Sequence, residues 1–215
     1  MTACRPSYLE LVEHYEACLA AHGDTHRGVD WPDADDATTR YRVMLGLLDG
    51  RPRPADASLL DFGCGAGHLV DHLRRHGPDD VRYLGADLSP RFIDLCRAKF
   101  PDLDFRCVDV LREPDALPAA DFVVANGVFT EKRSLSWDAM WEHTRRMITA
   151  LHSRARIGLA FNVMSWHVDW QRDDLFHLPC DTLLAFLKAE VSRHVVLRAD
   201  YGLWEYTTYV YREPE

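Results

Sequence analysis

One short segment constrains the fold more than any other: an apolar run that passes straight into three closely spaced glycines. The run is Leu59–Phe62, and the glycines are Gly63, Gly65 and Gly67. Glycine permits positive φ in a tight turn and leaves the backbone open to a ligand. A buried strand that leads through such a turn into a helix is typical of nucleotide-binding α/β folds. The segment therefore predicts a ligand site at the carboxyl end of a mostly parallel sheet.

Two acidic residues near the turn indicate which nucleotide is bound. Asp87 follows Gly67 by 20 residues, the separation at which an acid binds ribose hydroxyls in such units. His68 stands where the dinucleotide fingerprint has its third glycine. Asp61 precedes the turn, and a carboxylate there repels a pyrophosphate but attracts an ammonium group. The pattern therefore favours S-adenosylmethionine (SAM), which carries an ammonium and no phosphate, over a nicotinamide or flavin dinucleotide.

From residue 58 onward, short apolar runs alternate with stretches whose apolar residues recur at helical spacing. This alternation predicts an α/β fold with a mostly parallel, doubly wound sheet. The predicted strands are Ser58–Phe62, Val81–Asp87, Leu103–Val108, Asp121–Ala125, Arg156–Asn162, His194–Arg198 and Trp204–Tyr211. The predicted helices are one that ends near His76, Pro90–Phe100, Trp137–His152 and Cys180–Glu190.

The first 50 residues lie outside this alternation. Apolar residues at helical spacing predict helices over Ser7–Ala21 and Thr38–Asp49. We interpret residues 1–50 as a helical cap and residues 51–215 as a Rossmann-like core. Together they form one predicted domain over residues 1–215, a length that can bury a sizeable core.

Charge and composition favour some classes of partner and disfavour others. The net charge of −9 disfavours binding to nucleic acid. No stretch approaches the ~20 apolar residues of a membrane span, and no signal peptide is predicted. The six cysteines contain no C-x-x-C pair, which predicts reduced thiols in the cytoplasm and no zinc ribbon. We therefore expect a cytoplasmic monomer or homodimer with a small-molecule partner, no membrane partner and no metal.

Four segments resemble the class I SAM-dependent methyltransferases. They are LLDFGCGAGHL (residues 59–69), YLGADLS (83–89), FRCVDV (105–110) and DFVVANGVF (121–129). The resemblance covers the central third of the chain, and its first two segments are the most specific. It implies a seven-stranded sheet whose last strand is antiparallel, and SAM as the cofactor.

The resemblance also implies a set of cofactor-binding residues. It places Asp61, Gly63, Cys64 and Gly65 at the methionine moiety, Asp87 at the ribose, Leu88 and Val110 against the adenine, Asp109 at the adenine amino group and Asn126 near the sulfonium. Other roles are open at three of these positions. Asp109 can cap a turn, Asn126 can satisfy backbone groups at a strand end, and Cys64 can be a small packed residue.

The flanking segments resemble a subgroup of small bacterial methyltransferases. The similar stretches are residues 29–31, 40–41, 159–162 and 204–207. The subgroup is associated with polysaccharide and natural-product pathways, so the resemblance implies a small-molecule acceptor. Trp31 and Arg40 can equally serve only to pack the cap.

The segment from Met164 to His177 contains two Trp, two His and Asp169 after the fifth predicted strand. Long loops at this edge of a sheet are often functional lids, although a solvated surface loop is the alternative. We predict that it covers the acceptor. His167, Asp169 and Asn126 are the predicted catalytic residues, with His167 as general base because its ordinary pKa lies near neutrality. Other candidate bases are His14, Tyr15, Glu131 and His177.

These observations predict a SAM-dependent methyltransferase that methylates an oxygen or nitrogen of a small molecule in a bacterial natural-product or saccharide pathway. Two alternatives stay open. One is a SAM-binding protein without turnover, and the other is an NAD(P)-dependent oxidoreductase. An RNA methyltransferase is disfavoured because the chain is acidic and shows no added RNA-binding element.

Overall fold

An eight-stranded sheet organises the protein, here in a computed structural model that describes residues 8–215. The strands are β1 (Ala57–Phe62), β2 (Val81–Asp87), β3 (Asp104–Cys107), β4 (Ala120–Ala125), β5 (Ala155–Ser165), β6 (His177–Leu178), β7 (His194–Arg198) and β8 (Glu205–Tyr211). Their order across the sheet is β3-β2-β1-β4-β5-β8-β7, with β6 paired beside β5.

The direction of the strands confirms the predicted topology. β3, β2, β1, β4 and β5 pair in parallel, whereas β8 runs antiparallel to both β5 and β7. Seven strands form the main path, and the last of them in sequence is the antiparallel one. The additional strand β6 has two residues, too few to show a period in the sequence.

Helices cover both faces of the sheet. They are α1 (Leu9–His22), α2 (Ala34–Leu45), α3 (His68–His76), α4 (Pro90–Lys99), α5 (Trp137–Arg154) and α6 (Cys180–Phe186). All six residues of β1 are buried, and its adjacent residues Leu59 and Leu60 belong to different core clusters. A strand with an apolar layer on each face needs successive apolar side chains, as at Leu59 and Leu60.

Two helix boundaries differ from the predictions for identifiable reasons. α2 begins at Ala34, four residues before the predicted start, because the Asp33 carboxylate accepts hydrogen bonds from the backbone N–H of Asp35 and Asp36 at 2.7 and 3.1 Å. The predicted second helix ends in a short 3₁₀ turn at Gly46–Asp49. α6 gives way to a π turn at Leu187–Val191. The predicted start at Ser7 lies outside the described residues.

The cap predicted for residues 1–50 contacts the core at several places, two of which show how its helices are placed. The first is the carboxyl edge of the sheet, where the Ser89 hydroxyl after β2 donates to Glu16 of α1 at 2.6 Å. The second is β8, where the Tyr209 hydroxyl donates to the Val43 carbonyl and the Tyr211 hydroxyl to the Leu47 carbonyl. α1 therefore lies over the strand ends while α2 is held on the last strand. No helix within residues 8–215 is long and apolar enough to cross a membrane.

Candidate active site

A cavity lies at the carboxyl ends of β1, β2 and β4, beneath α1. All nine residues that the sequence predicts for cofactor binding line it: Asp61, Gly63, Cys64, Gly65, Asp87, Leu88, Asp109, Val110 and Asn126. The structure thus brings together residues from four separate segments. Their individual contacts show what each can contribute.

The glycine turn between β1 and α3 requires glycine at the predicted positions. Gly63, Gly65 and Gly67 have φ values of +73°, +51° and +75°, a region that other residues rarely adopt. A Cβ on Gly63 would lie 2.5 Å from a methyl group of Val128, and one on Gly67 would lie 2.7 Å from the Phe100 ring. The bare turn leaves its backbone accessible from the cavity.

Asp61 supplies a buried carboxylate at the start of this turn. The Tyr83 hydroxyl donates to its Oδ2 at 2.7 Å. Burial, opposed in part by that hydrogen bond, raises the pKa of Asp61 to about 7. A buried carboxylate is costly unless a cation faces it, and the structure gives Asp61 no basic partner among residues 8–215. A ligand ammonium group would supply that missing charge.

Asp87 connects the end of β2 to the glycine turn. Its Oδ2 accepts from the backbone N–H of Gly65 at 2.9 Å, and its Oδ1 from that of Ser89 at 2.8 Å. Burial raises the pKa of Asp87, and the backbone hydrogen bonds partly oppose the shift. Each carboxylate oxygen can accept a second hydrogen bond, so Asp87 can hold the turn and still bind ribose hydroxyls.

Asp109 makes the turn contacts that the sequence left open as an alternative. Its Oδ1 accepts from the Leu111 backbone N–H at 3.2 Å, while its Oδ2 accepts from the Tyr8 hydroxyl at 2.7 Å. The Tyr8 ring stacks on His143 with the centroids 5.2 Å apart. Burial lowers the pKa of His143 to about 4, so its imidazole is neutral at pH 7. Neither Tyr8 nor His143 was among the residues predicted from the sequence.

Asn126 begins the turn after β4, the strand that pairs with β1. Its side-chain Oδ1 is buried and has no hydrogen-bond partner within residues 8–215. Buried acceptors are nearly always paired in folded proteins. Asn126 therefore presents an unused acceptor in the cavity wall, which fits a ligand that brings a donor or a positive charge.

A titratable group, Glu131, lies on the cavity wall beyond this turn. Glu131 is buried, and that burial raises its pKa, with further increases from the nearby carboxylates of Asp30 and Asp174. The Arg133 guanidinium, 3.5 Å from the Glu131 carboxylate, partly opposes this rise in pKa. Tyr15 of α1 lines the same region and donates to the Gly127 carbonyl at 3.4 Å. This end of the cavity therefore holds a carboxylate whose raised pKa makes it a better proton acceptor than an exposed glutamate.

The structure places two predicted catalytic residues away from the cavity. His167 and Asp169 are both exposed, and neither lines its wall. The lid over the acceptor stays a prediction, and in this structure its two polar residues face solvent. Trp166 and Trp170 beside them are also exposed, at 44% and 69%.

The later part of the same segment contacts the loop that carries Glu131. The Phe176 backbone N–H donates to the Thr130 carbonyl at 2.8 Å, and Leu175 forms a β-bridge with Glu131. His177 is buried in β6, with its Nδ1 2.7 Å from the Ser165 carbonyl oxygen, and does not line the cavity. Contacts made by residues 174–177 thus hold the Glu131 loop in place, a role that the sequence pattern did not indicate.

Within the described residues, a cluster of possible metal ligands lies beside the cap. The ligand atoms of His14, Cys18 and Asp30 come within 4.8 Å of one another. His14 Nε2 lies 2.7 Å from the Asp30 carboxylate, a hydrogen bond that accounts for this pair without an ion. The cluster therefore carries no metal assignment.

Comparison with known proteins decides what kind of cavity this is. Residues 60–151 match the family described as a methyltransferase domain. A putative methyltransferase of Mycobacterium tuberculosis, Rv1506c, is 33% identical over 159 residues, which cover 71% of this chain and 92% of that protein. The chain belongs to the class I SAM-dependent methyltransferases. Its cofactor is SAM, because the family and SAM-bound neighbours of the same fold agree.

Other methyltransferases match this chain at lower identity or over a shorter stretch. Magnesium protoporphyrin IX methyltransferase from Synechocystis, solved with bound SAM, has the same fold, with a TM-score of 0.67 and 13% identity over 99% of this chain and 100% of that one. Malonyl-[acyl-carrier protein] O-methyltransferase from Dechloromonas aromatica is 35% identical over 91 residues, or 42% of this chain and 32% of its own length. Membership of the methyltransferase family contradicts the alternative of an NAD(P)-dependent oxidoreductase.

Proposed function

We propose that this methyltransferase transfers the methyl group of SAM to an oxygen or nitrogen of a small molecule in a bacterial natural-product or saccharide pathway. The observation that carries the proposal is the cap over the cavity: Tyr8, Leu11, Val12 and Tyr15 of the N-terminal segment all line it. A cavity roofed by a helix has room for a small acceptor and not for a folded polymer. The net charge of −9 also disfavours nucleic acid.

When bound, SAM supplies a methyl carbon already activated by the attached positive sulfur. The task of the protein is to hold the acceptor in line with the methyl carbon–sulfur bond and to exclude water. Such positioning can contribute roughly 7–11 kcal/mol of the barrier. We assign Asp61 to the ammonium group, Asp87 to the ribose and Asn126 to the end of the cavity where transfer occurs. The acceptor gains the methyl group, and the electron pair of the broken bond stays on sulfur.

A hydroxyl acceptor also loses a proton, and Glu131 is the group we assign to receive it. Glu131 lines the cavity beyond the Asn126 turn, and burial has raised its pKa, which makes the carboxylate a better proton acceptor. The exposed His167 and Asp169 have no such contact. A neutral amine acceptor would need no base for the transfer step itself, so the role of Glu131 separates the two acceptor types.

The relatives support the chemistry more than the acceptor. The match to malonyl-[acyl-carrier protein] O-methyltransferase covers only 91 residues, and the family match spans the strands and turns that hold the cofactor. The cap lies outside the family match, whereas Asn126 and Glu131 at the acceptor end lie within it, so the relatives leave open what the cap admits. A SAM-binding protein without turnover therefore stays as the second candidate.

Purified protein and SAM should be incubated with a panel of acceptors: monosaccharides, phenols, carboxylic acids and primary amines. Mass spectrometry would detect the methylated product, and S-adenosylhomocysteine (SAH) release would give its rate. We expect at least one small acceptor to raise SAH formation well above the rate without acceptor. Binding of SAM with no product from any of these acceptors would favour the second candidate.

A further inference from the structure

A chain of buried polar contacts joins the cap to the cavity through β8 and β5. Arg40 of α2 donates from Nε to Glu205 Oε2 at 2.8 Å. Asn162 of β5 donates from Nδ2 to Glu205 Oε1 at 3.0 Å, and its Oδ1 accepts from the Gly127 backbone N–H at 2.7 Å. The Glu205 side chain is only 1% exposed. Three polar side chains thus lead from the cap to the turn after β4.

Trp31 contacts both Arg40 and the turn after β4, and so links the cap to this turn a second time. The Arg40 guanidinium lies over the Trp31 ring, 4.2 Å from its centroid. The edge of that ring packs so closely on Gly127 that a Cβ there would lie 2.6 Å from it. The contacts form a closed loop from Gly127 through Asn162, Glu205, Arg40 and Trp31 back to Gly127. We call these five residues the Arg40–Glu205 loop.

The hydrogen bonds in this loop have a fixed direction. Glu205 accepts at both oxygens, once from Arg40 and once from Asn162. Only a carboxylate can do this, because a glutamine at the same place would turn an amide donor toward one of two donors. Asn162 in turn can accept from Gly127 only while its amide nitrogen faces Glu205. The orientation of the turn backbone therefore depends on the charge of a residue on β8.

Stability alone gives little reason for such a loop. A buried ion pair loses much of its Coulomb energy to desolvation and is weak evidence for stability. Arg40 also has a buried Nη1 with no hydrogen-bond partner among residues 8–215, which adds to the cost. A pair that costs this much and ends on the cavity wall fits a role in fixing geometry.

The loop holds the part of the cavity wall where methyl transfer is assigned. Trp31, Asn126, Gly127 and Val128 all line the cavity, and Gly127 has φ of +78°. Building on the methyl transfer proposed for this cavity, we propose that Arg40, Glu205 and Asn162 are positioning residues. They hold the Trp31 ring against residues 126–128 and so couple closure of the cap to formation of the cofactor site.

The test compares two variants on the same strand. Glu205→Gln breaks the loop while keeping the size of the side chain. Tyr211→Phe is the matched control, because it removes another hydrogen bond between the cap and β8, the one to the Leu47 carbonyl at 3.2 Å, which lies away from the cavity. Isothermal titration with SAH gives the affinity without any acceptor. Hydrogen exchange gives the protection of the Gly127 amide.

We expect Glu205→Gln to weaken SAH binding by at least about tenfold, because the free protein relaxes and the ligand must restore the arrangement. The Gly127 amide should lose protection in the same variant. Tyr211→Phe should bind SAH as the wild type does, although it unfolds at a lower temperature. Should Glu205→Gln fail to fold, Arg40→Lys gives the second comparison, since lysine keeps the charge and loses the planar stacking on Trp31.

The proposal is overturned if the folded variants bind SAH within about twofold of the wild type, the size of an ordinary surface effect. It is equally overturned if Tyr211→Phe weakens binding as much as Glu205→Gln, because the loss would then reflect general loosening of the cap. Failure of the proposed methyl transfer would be visible separately. In that case the wild type binds SAH but methylates no acceptor, and the comparison of affinities still stands.

Discussion

The two ends of the cavity are built in different ways. At the cofactor end, the contacts that hold Asp61 and Asp87 join residues 22 positions apart, within one strand–turn–helix–strand unit. At the transfer end, the contacts that hold the turn at Gly127 span 35, 43 and 165 positions. The cofactor end is thus a local product of β1 and β2, whereas the transfer end exists only in the complete fold.

This difference shows which contacts cofactor binding and acceptor turnover depend on. A site made by local contacts can stay the same while the rest of the chain changes, which fits a family match confined to residues 60–151. A site made by distant contacts changes whenever the cap or the last strand changes. We therefore expect a side chain such as Glu131 to affect acceptor turnover alone, whereas the Arg40–Glu205 loop, which holds residues 126–128 in place, affects SAH binding as well.

The largest expected effect lies at the cofactor end. Gly63→Ala places a methyl group 2.5 Å from Val128 at φ +73°, so the turn must move, and we expect SAH affinity to fall by more than about 100-fold. Gly202→Ala is the matched control, because Gly202 has φ of +79° but nothing within 4 Å of its Cβ position. Calorimetry should show normal SAH binding in the control despite a lower melting temperature.

A second effect should appear only at the transfer end. Glu131→Gln removes the assigned proton acceptor, and we expect the turnover of a hydroxyl acceptor to fall about 100-fold while SAH affinity stays near that of the wild type. Glu142→Gln on the exposed surface of α5 is the control. Steady-state rates with saturating SAM give the comparison. An equal loss of SAH affinity would show that the two ends are not separable in this way.

The pH dependence of binding sharpens the comparison further. The pKa of Asp61 is raised to about 7 by burial, whereas a bound ammonium group favours its charged form. SAH affinity should therefore fall by up to about tenfold per pH unit as the pH drops below 7. The stability of the free protein should change with pH in the opposite direction, because Asp61 stabilises the ligand-free fold in its protonated form. The raised pKa favours the folded state below about pH 4, and this contribution is lost as the pH rises through 7.

Asp61→Asn tests both trends because asparagine does not titrate. The variant should bind SAH weakly at every pH, and the part of the stability profile between pH 4 and 8 that comes from Asp61 should be absent. Calorimetry across this range, together with thermal melts of the free protein, provides the measurement. A wild-type affinity that is flat between pH 5 and 8 would contradict the role given to Asp61.

The smallest effect is expected in the segment that the sequence predicted as a lid. His167→Ala and Asp169→Ala change exposed side chains outside the cavity, so acceptor turnover should stay within about twofold of the wild type. Steady-state assays with the best acceptor of the panel decide the matter. A large loss in either variant would restore the lid interpretation and show that the loop moves onto the acceptor.

The same division explains how much the sequence could predict. The mostly parallel sheet, the antiparallel last strand and SAM as cofactor were predicted and are confirmed. The nine predicted cofactor residues come together in one cavity, and their individual roles stay predictions. Turn glycines and strand-end acids depend on local backbone geometry, so their spacing along the chain carries the information.

The rest depended on contacts that leave no local pattern. The sequence singled out Trp31 and Arg40, but nothing in it shows that Arg40 meets Glu205 at a separation of 165 residues. Tyr8 reaches Asp109 across 101 positions and was missed for the same reason. The start of α2 was a different kind of error, because Asp33 before a helical run is a common N-cap and could have been recognised.

The position of β8, between β5 and the edge strand β7, matters for biosynthesis. β5 pairs with β8 over seven residues, yet β8 leaves the ribosome after every other strand. Until then β5 exposes an unpaired edge rich in apolar residues, which invites pairing with other chains. Slow or interrupted translation near residues 205–211 would therefore favour aggregates in which the glycine turn is complete but the turn after β4 lacks the contact that Glu205 makes through Asn162.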